Sequence, residues 1–141
     1  MSAKKVGAVL LILTSALMVG VYSGCGAPGA EKVIKSTKSG DLTVTLSNPT
    51  GLLKSGENEL FISFADASGK PIDVGAASLN FQMAGMGQMP EMNDKATLTT
   101  TDTPGKYQAK VDIEMSGTWE AVISYDGPHG SGQVRMTVNV K

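Results

Sequence analysis

The sequence predicts an all-β fold: an antiparallel β-sandwich of about seven short strands, following an N-terminal signal peptide. Three observations predict it. Apolar residues alternate with polar ones at period two through most of the chain after residue 41, as in strands with one buried face. Breaks rich in Gly, Pro, Asn and Ser separate these runs. No stretch beyond the apolar leader carries a helical period. About seven strands in roughly 100 residues match an immunoglobulin-like sandwich in size and density.

The strands follow in order. Leu42, Val44 and Leu46 alternate with Thr43, Thr45 and Ser47, until Asn48-Pro49-Thr50-Gly51 breaks the run. Leu60, Ile62 and Phe64 form the second, closed by the turn Ala67-Ser68-Gly69-Lys70-Pro71. Leu79, Phe81 and Met83 form the third. Lys95 to Thr101 (KATLTTT) reads as a polar edge strand, and Thr103-Pro104-Gly105 turns the chain. Tyr107, Ala109, Val111 and Ile113 alternate next, then Ser116-Gly117 interrupts. Trp119, Ala121, Ile123 and Tyr125 follow, and Asp126 to Gly132 (DGPHGSG) is a loop. Val134, Met136, Val138 and Val140 close the chain. The ring of Trp119 is the expected centre of the core.

The front of the chain is read separately. Lys4 and Lys5 precede the uncharged run Val6 to Val21, which is shorter than the roughly 20 residues a membrane-spanning helix needs. Residues 1–24 therefore read as a secretory signal peptide. Its exit, Ser23-Gly24-Cys25, resembles a bacterial lipobox, with Tyr22 where an aliphatic residue is usual. Cys25 is then lipidated and becomes the mature N-terminus. The alternatives are ordinary cleavage leaving a free thiol, or an uncleaved anchor. Cys25 is the only cysteine, so no disulfide forms within one chain, and an unmodified thiol would be a liability in an oxidising compartment. Residues 25–40 read as a flexible tether and residues 41–141 as the domain. The location expected is extracytoplasmic and membrane-anchored, in a periplasm or at a cell surface.

The net charge of −1 is too mild for a nucleic-acid partner, and no basic patch carries interleaved aromatics. A single histidine builds neither a nucleophilic triad nor a histidine-rich zinc site, so the chain is expected to be a binding protein and not an enzyme.

MAGMGQMPEM, residues 83–92, places methionines three apart at Met83, Met86, Met89 and Met92. A helix would gather them on one face. Gly85, Gly87 and Pro90 oppose it, at about 1 kcal/mol for each glycine and 3 for the proline. A single strand would throw alternate ones to opposite faces. A turning loop remains. Met83 continues the preceding strand into the core. Met86, Met89 and Met92 are candidate metal ligands, since a thioether is soft, neutral and suited to Cu(I). Met115 and the loop residue His129 are further candidates for such a copper site, against the plainer readings of a core-edge methionine and a solvated histidine. The competing view of the methionines is an adaptable apolar contact surface.

Asn58-Glu59-Leu60, Gly69-Lys70-Pro71-Ile72, Met89-Pro90-Glu91-Met92, Gly105-Lys106-Tyr107 and Met115-Ser116-Gly117-Thr118-Trp119 occur in that order. This series resembles the FixH-like/YtkA-like family of extracytoplasmic domains, across about Gly40 to Lys141. The resemblance implies an immunoglobulin-like domain tethered to a membrane and engaged in metal handling. It implies partnership with a metal-transport or oxidase-assembly protein. It carries ligand roles onto Met89, Met92 and Met115.

Overall fold

The computed structural model describes residues 31–141. The expected signal peptide, residues 1–24, and the expected lipidation site Cys25 lie outside the described residues.

Two antiparallel sheets face each other. One has five strands in the order β1-β2-β3-β7-β6, the other four in the order β5-β4-β8-β9. The strands are β1 Lys32–Ser39, β2 Leu42–Asn48, β3 Gly56–Ala65, β4 Ala76–Met83, β5 Met92–Lys95, β6 Thr97–Thr100, β7 Lys106–Ile113, β8 Gly117–Gly127 and β9 Gly130–Val140. Strands β2-β3-β7-β6 against β4-β8-β9 reproduce the immunoglobulin arrangement, with β1 and β5 added at the edges.

The alternating apolar residues meet between the sheets. Leu46, Leu60, Ile62, Leu79, Phe81, Ala109, Ile113, Ala121 and Ile123 are fully buried, and Trp119 lies among them. Phe64 packs edge-on against both Tyr107 and Tyr125, with ring centroids 5.8 and 5.6 Å apart. Such T-shaped contacts align a positive ring edge with a negative ring face.

The expected sandwich forms, and its elements differ from the sequence reading in detail. The described residues form nine strands where the sequence suggests about seven. The tether expected through residue 40 gives way to β1 at Lys32. This strand pairs with β2 along its length, with a bulge between Val33 and Lys35, while Ile34 packs on the core. Pairing, not burial, orders it, because most of its side chains are exposed. The run Lys95 to Thr101 divides between sheets. Met92–Lys95 pairs with β4, Ala96 turns inward, and Thr97–Thr100 pairs with β7 as the edge of the other sheet. The Ala96 N–H donates to the Leu79 carbonyl at 3.0 Å, which fixes this crossing.

The expected loop Asp126 to Gly132 is also shorter than its composition suggests. Strands β8 and β9 pair up to Gly127 and Gly130, leaving Pro128 and His129 as a two-residue turn.

Candidate functional site

The methionine segment is a hairpin. Met83 at the end of β4 stands directly opposite Met92 at the start of β5. Met86 bridges Met89 across the two-residue turn Gly87-Gln88, and the Met89 N–H donates to the Met86 carbonyl at 2.9 Å. Residue numbers in both pairs share one sum, so a single antiparallel register places both. On a single strand, the three-residue spacing would scatter these side chains over both faces. Reversal of the chain brings them into facing pairs.

Local backbone requirements explain the shape. Gly87 opens the turn at φ +58°, a conformation that costs glycine nothing. Gly85 sits so close to the returning strand that a Cβ there would lie 2.9 Å from the Met89 carbonyl oxygen. The ladder lapses between the two methionine pairs, at Ala84-Gly85 and Pro90-Glu91, and resumes at Met92.

Directly opposed residues in an antiparallel pair share a face. Phe81 is buried and faces the other sheet, so its partner Asp94 turns the same way, and the next pair, Met83 and Met92, follows this alternation. Met115 enters from the connection between β7 and β8, where the chain passes from one sheet to the other. The five methionines together line an open groove of about 330 Å³ at the mouth of the sandwich, with Ala84, Pro90 and Ser116 to Thr118. No carboxylate or imidazole is among the groove's lining residues.

The five fall into two layers. Met83, Met92 and Met115 are partly buried and packed on the core. Met86 and Met89 stand out from the turn, 74% and 50% exposed.

Met115 is held on both sides. Its carbonyl accepts from Trp119 Nε1 at 3.0 Å, and the N–H of the preceding Glu114 donates to Asp94 Oδ2 at 3.1 Å. Trp119 is thus both the buried ring that sequence patterning predicts and the donor that fixes a groove residue. Gly117 closes the wall with φ +143°, and a Cβ there would meet the Met83 methyl at 2.9 Å. Asp94, Gly117 and the indole N–H were missed as site residues. Nothing in the local sequence of Asp94 marks it, because its role depends on the β4–β5 register.

The predicted ligands Met86, Met89, Met92 and Met115 therefore share one groove, and Met83, read as core, joins them. His129 does not. It occupies the β8–β9 turn, and the eleven residues of β8 separate the two ends by roughly 30 Å at about 3.3 Å per residue. Among the described residues, no group of three or more His, Cys, Asp or Glu forms a metal-holding cluster.

The donor set has a definite chemistry. Thioethers are soft and neutral, and they favour soft monovalent copper over ions that take carboxylate, carbonyl or water. A family model described as YtkA-like matches residues 36–124. No curated protein matches the chain. Among solved structures, a copper-bound variant of FetP from uropathogenic Escherichia coli strain F11 is similar at 8% identity. That match covers 77% of this chain and 95% of FetP, with a TM-score of 0.45, a likeness too distant to carry an argument.

Proposed function

We propose that this chain, which belongs to the YtkA-like family, is a lipid-anchored extracytoplasmic protein that binds copper as Cu(I) and passes it on. Copper is its cargo, and the protein is a carrier, not an enzyme. The observation that carries this reading is the gathering of five thioethers, from one hairpin and one facing loop, around a single groove. Lipidation of Cys25 rests on the lipobox-like Ser23-Gly24-Cys25 and would hold the domain at the membrane. A metal-transport or oxidase-assembly protein is the corresponding partner.

The groove's chemistry suits transfer. Thioethers bind without losing a proton, so loading and release need no acid or base. They also resist the disulfide formation that would compromise cysteine ligands outside the cytoplasm.

Anaerobic titration of the purified protein with Cu(I), against a chromophoric Cu(I) chelator, tests the proposal. Binding of one equivalent is expected, and replacement of all five methionines by leucine abolishes it. Equal affinity in the leucine variant overturns the reading.

A second reading has its own observation. Met86 and Met89 are large apolar side chains left exposed at a hairpin tip, which suits an adaptable contact surface in an envelope complex. Leucine preserves an apolar contact far better than it preserves a copper ligand, so the same variant separates the two.

A further inference from the structure

We infer that the groove is a two-stage site, in which Met83, Met92 and Met115 hold a soft monovalent cation and Met86 and Met89 exchange it. This rests on the Cu(I) reading above and assigns a different task to each layer of sulfurs.

The layers differ in how they are fixed. Met83 and Met92 extend from paired strands, and their side chains pack on the core. Met83 also fills the space that Gly117 leaves open. Met115 is restrained by the bonds from Trp119 to its own carbonyl and from the Glu114 N–H to Asp94. Ligands held in place by packing and hydrogen bonds lose little freedom when a metal arrives, which favours tight holding. Three thioethers also meet the low coordination number that a soft d¹⁰ ion accepts.

Met86 and Met89 are the reverse case. They flank a two-residue turn, beyond the lapse in the ladder at Pro90, and face solvent. An unbranched side chain with three rotatable bonds can reach inward to a bound ion or outward to an incoming one. Their place is therefore the exchange step, in which one thioether releases the ion as a soft sulfur or nitrogen donor of an acceptor takes it. Copper stays Cu(I) throughout, no proton moves, and each bond broken is matched by one formed.

Met83 is the addition this makes to the ligand set. Its period-two pattern marks it as core, and it lies on the core, yet it also lines the groove opposite Met92. Asp94, Gly117 and Trp119 act on the ion only through the residues they place.

Two variants of the full protein separate the layers: Met86→Leu with Met89→Leu, and Met83→Leu with Met92→Leu and Met115→Leu. Each is loaded with Cu(I) without oxygen. Affinity is read by chelator competition, and the transfer rate by stopped-flow mixing with the same chelator. Trp119 fluorescence and the thermal midpoint report folding. The outer double variant is expected to keep its affinity within about threefold and to transfer at least about tenfold more slowly. The inner triple variant is expected to lose about a hundredfold or more in affinity while remaining folded. Equal loss of affinity in both variants, or an unslowed transfer in the double variant, overturns the two-stage site while leaving Cu(I) binding standing. Absence of Cu(I) binding by the unaltered protein overturns the functional reading itself.

Discussion

Asp94 shows how much a single side chain can do without touching the groove. Its carboxylate accepts the Glu114 N–H, which ties the edge strand β5 to the loop that carries Met115. Removing it frees that loop on one side and leaves only the Trp119 bond. Asp94→Ala is expected to weaken Cu(I) binding by about two- to tenfold, the equivalent of one net hydrogen bond of about 0.5–1.5 kcal/mol. Asp94→Asn keeps an acceptor oxygen and is expected to restore most of that loss. Chelator competition measures both. Gly117 works by subtraction. Its φ of +143° is one that L side chains rarely adopt, and a Cβ there would have to push the flexible end of Met83 aside.

At the scale of elements, β7 joins the core to the β3–β4 connection through Tyr107. Its hydroxyl donates to the Gly75 carbonyl at 2.6 Å, and its ring packs edge-on against Phe64. Burial raises the Tyr107 pKa above the ordinary phenol value, and the charge of Asp73 adds to this. The folded state therefore holds this proton more tightly than the unfolded chain. The resulting stability is complete below the unfolded pKa of about 10 and is lost as pH rises through the folded value. Thermal midpoints between about pH 8 and 11 are expected to fall more steeply for the native protein than for Tyr107→Phe. That variant is lower at neutral pH by about 1 kcal/mol, the net value of one hydrogen bond.

Strands with one fully apolar face were legible in the sequence. Leu42–Leu46, Leu60–Phe64, Leu79–Met83, Tyr107–Ile113, Trp119–Tyr125 and Val134–Val140 announce themselves by period two, and the structure forms each. Strand β1 was not legible, because its residues are largely polar and exposed and its order comes from its neighbour's backbone. Strand β5 has only four residues, too short to display a period. The site was half legible. Composition and local spacing marked Met86, Met89 and Met92, and Met115 stood as a further candidate from outside that run. The facing of Met83 with Met92, and of Met86 with Met89, exists only once the chain has turned back on itself.

For the whole molecule, the two ends of the sandwich carry different chemistry. The methionines occupy one end and His129 the other. A site made only of thioethers has no group that titrates near neutrality. Cu(I) affinity is therefore expected to stay flat from about pH 5 to 8, and to be unchanged in His129→Ala. Participation by His129 would instead make that substitution weaken binding. Competition titrations across that range decide between the two.

Ala96 gives the assembly a further property. It alone separates β5, which belongs to one sheet, from β6, which belongs to the other. The methionine hairpin is stitched across the sandwich by that one residue. It cannot swing open as a flap without unpicking β6 from β7 and drawing Ala96 out of the core. On the proposed Cu(I) reading, what moves when an ion arrives is therefore confined to side-chain torsions, chiefly those of Met86 and Met89, on a fixed frame. On that reading, an ion passes from donor to acceptor with no slow rearrangement of the fold between them.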